Sequence, residues 1–262
     1  MPGSELGHEG ILIAVPTVRE AESFAVAGRL PFSAGAVSPG RVGKKQVNIL
    51  ITGVGIPDAL NNLALATEKP FLPRLVVHAG IAGSYTGAYP PGSVVLIEKD
   101  CFADVGVYHG NRIYSLSERN LAGRYAFPYS DGWIEIPGAA EWAEKLGLPC
   151  VKARTVATAC SPLLRNDGRY PEAAVETMEG ASVALFCRSR NIPLIHIRAV
   201  SNYVSQTDSR LWDFGAAFAA LRETVAGILD LTGTLEEAAL EKGLTQEEIA
   251  AVVEELNKMA ES

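Results

Sequence analysis

The chain has 262 residues, of which 48% are hydrophobic, 20% charged and 7% aromatic, the composition of an ordinary globular protein. Its apolar runs last about five residues, well short of the eighteen or so that a membrane span needs, so the sequence predicts no membrane contact. The first ten residues contain no Lys or Arg, and we interpret residues 1–10 as a flexible leader of a cytoplasmic protein. The net charge is −7, and residues 234–262 supply −6 of it through eight glutamates against Lys242 and Lys258. The remaining chain is nearly neutral and offers no basic surface for a nucleic acid.

Short β-branched runs alternate with helical patterns along the chain, which predicts an α/β fold whose central strands are covered on both faces. The predicted strands, in chain order, are residues 11–15, 47–52, 75–79, 93–97, 151–155 and 194–200. The predicted helices are residues 17–27, 57–67, 139–146, 178–190 and 211–231. Residues 108–133 have no clean period and predict loops with a hairpin. Since no repeat or low-complexity linker divides residues 11–232, we expect them to form one domain.

Residues 233–262 form an acidic tail with helical patterning. Thr245 and Glu248 have the spacing of a capping box. An apolar stripe at helical spacing follows, made of Ile249, Val252, Val253 and Leu256. Gly243 would end a shorter helix over residues 235–242. The tail therefore predicts an amphipathic helical hairpin that packs on the body of the chain or on another chain.

The sequence contains no pattern for a metal or a cofactor. Its four cysteines are widely spaced, with no His at ligand spacing, so neither a zinc site nor a disulfide framework is expected. The segment from Gly53 to Asp58 lacks the third glycine of a dinucleotide fingerprint, and no phosphate-binding GxxxxGK[ST] loop is present.

The first candidate for a reactive group is Glu20, one helical turn beyond the first predicted strand. Ligand sites in α/β sheets gather at the carboxyl ends of strands, so this carboxylate can point into a cleft. Thr17 and Glu20 also have the spacing of a capping box, in which Glu20 would bond only the Thr17 amide. The spacing by itself favours the capping interpretation.

Further candidates follow later strands. Glycine-rich segments over residues 52–55 and 79–84 permit close approach of a ligand, or they simply make tight turns. Glu179 lies at a predicted helix start, where the helix macrodipole stabilises an acid. Ser201 and Asn202 close the last predicted strand. Each of these patterns by itself leaves both a structural and a functional interpretation open.

Taken in order, the strand followed by Glu20 and the segments TGVG, HAGIAGSY, ETMEGASVA and IRAVSN resemble the purine nucleoside phosphorylase and nucleosidase superfamily. The likeness covers residues 11–231 and is strongest to the hydrolytic branch, which contains methylthioadenosine/S-adenosylhomocysteine nucleosidases and futalosine hydrolases. The resemblance implies a three-layer α/β/α sandwich around a central twisted mixed sheet. It also implies a nucleoside substrate, no cofactor or metal, and assembly as a homo-oligomer.

The resemblance further implies residue roles. Glu20 would activate the attacking water, Glu179 would hold the ribose hydroxyls, and Asn202 would stabilise the departing purine as the third catalytic residue. The other implied substrate contacts are those of Gly80, Ile81, Ala82, Met178, Ser201 and Trp212.

Asn202 is the residue that selects the expected base. Adenine-specific nucleosidases carry Asp at this position, and an amide cannot deliver a proton as a carboxylic acid does. The resemblance to 6-oxopurine enzymes then implies release of hypoxanthine, with futalosine, an intermediate of menaquinone biosynthesis, as the substrate. Methylthioadenosine/S-adenosylhomocysteine hydrolysis and nucleoside binding without catalysis remain the alternatives.

Two further positions bear on the reaction. Phosphorylase relatives place an Arg where this chain has His78, so hydrolysis is favoured over phosphorolysis, and we interpret His78 as a core residue. Arg165 or Arg169, in the loop before Glu179, is a candidate to bind the benzoate end of futalosine.

Overall fold

The computed structural model describes residues 10–27, 35–68, 72–110, 112–116, 118–121, 127–165 and 169–241. Its strands are β1 (Ile11–Val15), β2 (Val26–Ala27), β3 (Val37–Val42), β4 (Lys45–Ile51), β5 (Leu75–Ser84), β6 (Val94–Phe102), β7 (Gly106–His109), β8 (Arg112–Ser115), β9 (Tyr129–Ser130), β10 (Trp133–Glu135), β11 (Cys150–Thr155), β12 (Ala173–Thr177) and β13 (Leu194–Tyr203). Its α-helices are α1 (Val18–Phe24), α2 (Ile56–Ala66), α3 (Ala139–Leu146), α4 (Pro162–Arg165), α5 (Gly180–Ser189) and α6 (Phe214–Glu241).

One mixed sheet of eleven strands forms the middle layer, in the order β2-β3-β4-β1-β5-β12-β11-β6-β10-β9, with β13 paired to both β5 and β6. Because β5, β12, β11, β6 and β13 pair in a cycle, this part of the sheet curves round on itself. Strands β1, β4, β5 and β13 run parallel and are largely buried on both faces. Their carboxyl ends therefore lie at one edge, where ligand sites form in such sheets.

Helices cover both faces of this sheet. Helix α6 packs on α1, α3 and β13, while α2 packs on α5. This is the expected three-layer α/β/α sandwich with a mixed central sheet, and the six predicted strands are all present. Of the residues that the structure describes, none belongs to a helix long and apolar enough to span a membrane.

Several boundaries differ from the prediction. Helix α1 ends at Phe24 rather than residue 27, because Ala25 turns to an extended conformation and β2 pairs with β3. Strand β3 was not expected, since it contains Pro39 and Gly40, which are uncommon in strands. The unpatterned region contains two hairpins, β7–β8 and β9–β10, as expected in outline.

The predicted glycine turn over residues 79–84 is wrong, because β5 continues through it to Ser84. The chain stays extended there because β13 pairs with it, with Arg198 opposite Gly80. The predicted helix end at residue 231 is also wrong, since α6 continues to Glu241 without a break. Helix α6 thus passes through the expected boundary between residues 232 and 233. The second helix of the predicted hairpin falls in residues 242–262, outside the described residues.

Candidate active site

Glu20 both caps its helix and reaches the glycine segment of β5. Its Oε2 accepts hydrogen bonds from the Thr17 amide at 2.9 Å and from Thr17 Oγ1 at 2.8 Å, which completes the capping box. Its Oε1 accepts from the backbone N–H of Ile81 at 3.1 Å. The residue is only 2% exposed. The two interpretations open in the sequence therefore describe one side chain, with one oxygen on the cap and the other at the edge of the sheet.

Glu179 precedes α5 and its side chain turns away from its own helix. It occupies the N-cap position without a side-chain cap bond. Its Oε1 instead accepts from the Gly55 N–H at 3.0 Å. Gly53 and Gly55 have φ values of 78° and 96°, conformations that glycine adopts readily, and they turn the chain from β4 into α2. The first glycine segment is thus a true turn that holds Glu179.

Arg198 joins these acidic groups and was not a predicted site residue. It lies on β13 with no exposed surface, and its Nη1 is 3.5 Å from Glu179 Oε2 and 3.4 Å from the Ile81 carbonyl oxygen. A Cβ at Gly80 would collide with Nη1 and would stand 3.0 Å from Glu20 Oε1. A charged residue within a buried and mostly apolar strand must be paired, and that sequence signal was available.

Two histidines complete the surroundings of the guanidinium. Arg198 Nε donates to His196 Nε2 at 2.9 Å, and Nη2 lies 2.9 Å from His78 Nε2. Both imidazoles are fully buried. Burial, together with the neighbouring guanidinium, holds the pKa of each histidine well below its usual value, so both are neutral. The interpretation of His78 as a core residue fits this contact.

Burial also shifts the pKa of the two carboxyls. The pKa of Glu20 is raised from 4.5, mainly by desolvation, against the lowering effects of Thr17 and Arg198. Desolvation likewise raises the pKa of Glu179, against the lowering effect of Arg198. A buried carboxyl whose pKa has risen toward neutrality can take up a proton during a reaction.

Asn202 lies four residues beyond Arg198 on β13, about 13 Å away at the usual rise of a strand. Its Oδ1 accepts from Ser201 Oγ at 2.8 Å, and its Nδ2 donates to the Tyr203 carbonyl oxygen at 3.0 Å. These two bonds fix which way the amide faces. Gly83, opposite Asn202 in β5, leaves room for this amide, since a Cβ at position 83 would stand 3.2 Å from Nδ2.

The remaining predicted contacts lie around these groups. Ile81 contributes its backbone to both Glu20 and Arg198, between Gly80 and Ala82. Met178 is half-buried against a small apolar cluster that includes Val156 and Leu164. Trp212 is also half-buried, with its ring 5.8 Å from that of Phe214, and Asp213 N–H donates to the Ser201 carbonyl at 2.8 Å. The aromatic segment is therefore tied to the end of β13 that contains Ser201 and Asn202.

Arg169 does not match its expected role. It is buried, and its Nη2 donates to the Ala103 carbonyl oxygen, so it is engaged with the protein backbone. The side chain of Arg165 lies outside the described residues.

The arrangement places two buried carboxylates around one guanidinium at the edge of the sheet, with a fixed amide further along the same strand. Such a set can bind vicinal hydroxyls and take a proton from water, while the amide donates to or accepts from a planar base. Among the described residues, no group of three or more His, Cys, Asp and Glu side chains is placed to hold a metal ion.

Known proteins resemble this chain in sequence and in fold. The family model described as the Phosphorylase superfamily matches residues 10–232. The chain is 28% identical over 182 residues to a futalosine hydrolase of Streptomyces coelicolor, which is 68% of this chain and 76% of that protein. It is 31% identical over 189 residues to a futalosine hydrolase of Thermus thermophilus, which is 69% of this chain and 80% of that protein.

A second activity occurs among the relatives. A 5'-methylthioadenosine/S-adenosylhomocysteine nucleosidase of Listeria monocytogenes is 24% identical over 204 residues, which is 75% of this chain and 85% of that protein. The native structure of a Helicobacter pylori futalosine hydrolase superposes with a TM-score of 0.69 at 16% identity, covering 87% of this chain and 99% of that one. The structural likeness supports the fold.

The raised pKa of Glu179 makes a prediction about stability. A carboxyl whose pKa is higher in the folded than in the unfolded chain binds more protons when folded, so the free energy of unfolding falls as pH rises from about 4.5 through the raised pKa. Each unit of difference between the folded and unfolded pKa values changes the free energy of unfolding by about 1.4 kcal/mol. In Glu179→Gln this contribution disappears, and the fall in unfolding free energy between pH 5 and pH 8, measured by urea denaturation, becomes smaller.

Wild type and Glu179→Gln are compared by how much their free energy of unfolding changes with pH. The absolute values are not compared, because Glu179→Gln also removes the ion pair with Arg198 at every pH. Glu223→Gln, an exposed position on α6, is the matched control and leaves the fall unchanged. An equal fall in wild type and Glu179→Gln would contradict the assignment of a raised pKa.

Proposed function

Because the chain belongs to the phosphorylase superfamily, we propose that it hydrolyses the N-glycosidic bond of futalosine, releasing hypoxanthine and dehypoxanthinyl futalosine. The enzyme class follows that of the relatives named futalosine hydrolase and 5'-methylthioadenosine/S-adenosylhomocysteine nucleosidase. The observation that carries the proposal is the convergence of Glu20, Glu179 and Arg198 at the edge of the sheet. The expected place of the reaction is menaquinone biosynthesis.

In the proposed reaction, water attacks C1′ of the ribose as the bond from C1′ to the purine breaks. Glu20 accepts a proton from the water through a lone pair not used by Thr17 or Ile81. Glu179 accepts hydrogen bonds from the ribose hydroxyls and stabilises the positive charge that develops on the sugar. The electron pair of the broken bond leaves with the purine, which takes a proton from solvent and departs neutral, while Glu20 returns its proton to solvent.

Arg198 supports both carboxylates in this scheme. Its charge favours their ionised forms, against the effect of burial. Its guanidinium has no exposed surface and is already bonded to two histidines and a carbonyl, so it is poorly placed to bind a free phosphate. This supports hydrolysis rather than phosphorolysis.

Asn202 supports a 6-oxopurine as the leaving group. Its amide orientation is fixed by Ser201 and Tyr203, and its Oδ1 can accept one more hydrogen bond. The second hydrogen of Nδ2 is directed at Cys160 Sγ, 3.9 Å away, a weak acceptor that a purine nitrogen can replace. Such an amide can donate to N7 and accept from a ring N–H of hypoxanthine. Adenine has no proton on N1, so the accepting oxygen would lack that partner.

The direct test measures the released base. Purified protein is incubated separately with futalosine, methylthioadenosine and inosine, with and without phosphate, and the free base is separated by chromatography. We expect hypoxanthine from futalosine at a rate independent of phosphate, and a loss of at least about a hundredfold in Glu20→Gln, because an amide cannot act as the base. Adenine from methylthioadenosine as the main product, or a need for phosphate, would overturn the proposal.

Base selection at Asn202 gives a second prediction. Asn202→Asp replaces an amide donor with a carboxylate, which accepts from the 6-amino group of adenine or, once protonated, donates to N7. We expect the ratio of kcat/KM for futalosine to that for methylthioadenosine to fall by about tenfold or more, the cost of a lost hydrogen bond in a buried site. Gln206→Glu, a nearby change of the same kind, serves as the control for added charge. An unchanged ratio in Asn202→Asp would show that the amide does not read the base.

A cation over aromatic rings supports a substrate with an aromatic carboxylate. Arg19 is exposed next to Glu20, and its Cζ lies 5.4 Å from the Phe214 ring centroid and 5.8 Å from that of Phe218. The Phe214 ring in turn neighbours Trp212. No ion pair of Arg19 with another described residue is present, so its guanidinium donors face solvent. The benzoate of futalosine offers both a ring for this surface and a charge for Arg19.

Removing Arg19 should therefore weaken one substrate selectively. For Arg19→Ala we expect KM for futalosine to rise about tenfold, as for loss of one charge-assisted hydrogen bond, while kcat/KM for inosine, which has no benzoate, stays within about twofold. Arg210→Ala removes an exposed arginine that is already paired with Asp208 at 2.7 Å and serves as the matched control. An equal effect on both substrates would mean that Arg19 only packs on the aromatic rings.

A further inference from the structure

Two buried polar atoms beneath the candidate site have no hydrogen-bond partner within the described part of the chain. They are Asp100 Oδ2, at the end of β6, and His196 Nδ1, on β13. Both residues have no exposed surface. A buried donor or acceptor without a partner destabilises the folded chain, so the occurrence of two of them close together requires a reason.

The hydrogen bond between Arg198 and His196 determines which ring nitrogen carries the proton. Arg198 Nε can only donate, so His196 Nε2, 2.9 Å away, must accept and is unprotonated. The neutral ring therefore carries its proton on Nδ1. The atom without a partner is therefore a donor on His196, Nδ1, and an acceptor on Asp100, Oδ2.

Glycine at position 180 brings the two groups to the same place. A Cβ on Gly180 would collide with Asp100 Oδ2 and would stand 2.6 Å from His196 Cε1, the ring carbon between Nδ1 and Nε2. Both groups therefore face the Cα of Gly180 at the start of α5. The other oxygen of Asp100 is held by the Cys101 N–H at 2.8 Å and by Thr155 Oγ1 at 3.0 Å, which leaves Oδ2 as the available acceptor.

We propose that the Asp100 carboxylate accepts the Nδ1 proton of His196, directly or through one water, and that this pair positions the guanidinium of Arg198 in the active site. The resulting chain runs from Asp100 through His196 and Arg198 to Glu179. His196 holds Nε, so the guanidinium cannot rotate about its bond to Cδ, and Nη1 stays directed at Ile81 and Glu179. Asp100 and His196 are positioning residues, because they act on the substrate only through Arg198.

The first test does not depend on any activity. Ring ¹⁵N NMR at pH 8.5, with His196→Leu used to assign the signals, reports which nitrogen of His196 carries the proton. This pH lies above the pKa of Asp100, which burial raises to about 7. We expect protonation on Nδ1, and a shift of the Nδ1 proton signal in Asp100→Asn, whose amide cannot accept in the same place without losing Thr155 or Cys101. Protonation on Nε2 would overturn the proposal.

The second test rests on the proposed hydrolysis. Asp100→Asn and His196→Leu should each lower kcat for futalosine by about tenfold to a hundredfold, the range expected for misplacement of a catalytic group. His196→Gln, whose side-chain oxygen can still accept from Arg198 Nε, should recover part of the loss. The affinity for hypoxanthine, measured by calorimetry, should stay within about twofold of wild type.

Cys187→Ala is the matched control, since Cys187 is buried on helix α5, which begins at Gly180, and is not part of the chain from Asp100 to Glu179. Thermal melting identifies any variant that fails to fold, and the NMR result on wild type then decides the proposal by itself. Unchanged kcat in folded Asp100→Asn and His196→Leu would overturn the positioning role. If wild type hydrolyses no nucleoside, the proposed function fails while the NMR test of the pairing still stands.

Discussion

The burial of the Arg198 charge is the constraint on which the rest of the site depends. A guanidinium cannot lose its proton in a protein, so a fully buried one must be surrounded by acceptors. His78, His196, the Ile81 carbonyl and Glu179 meet this need from three sides. Removing one member of a buried ion pair typically costs 3–5 kcal/mol, and this requirement ties β5, β13 and the start of α5 to one another.

The glycines of residues 79–84 provide the space for this charge. Their pattern was therefore misleading as a sign of a turn. A glycine-rich segment after an apolar strand indicates either a tight turn or a loop that approaches a ligand, and the pattern of residues 79–84 left both interpretations open. In the folded chain the group that approaches Gly80 is the protein's own Arg198. The segment remains a strand because β13 pairs with it in parallel over its whole length. The backbone of Ile81 therefore lies beside a charge that is already in place.

The sequence predicted most of the fold and the acidic residues of the site, but not how they connect. Apolar runs located the buried strands, since their periodicity is local. The course of α6 past residue 231 and the pairing of β3 depend on contacts with distant segments, which local patterns do not contain. Arg198 was missed for a related reason: its significance lies in His78 and Glu179, which are far away in the chain. The one local signal was the position of Arg198 within a mostly apolar strand, because a charged residue there is buried and must be paired.

Capping by Glu20 is compatible with the catalytic role that we propose for the same side chain. A carboxylate has two oxygens with about four acceptor positions, and a capping box uses only one oxygen. Thr17 occupies Oε2 and thereby fixes the rotation of the carboxyl, while Oε1 points to Ile81 and the neighbouring guanidinium. A general base must be held at a defined position before its substrate arrives. The helix cap provides that restraint, because Thr17 and Glu20 are only three positions apart. The capping-box spacing, which favoured a structural role, therefore also explains how Glu20 can be held in place for its proposed catalytic role.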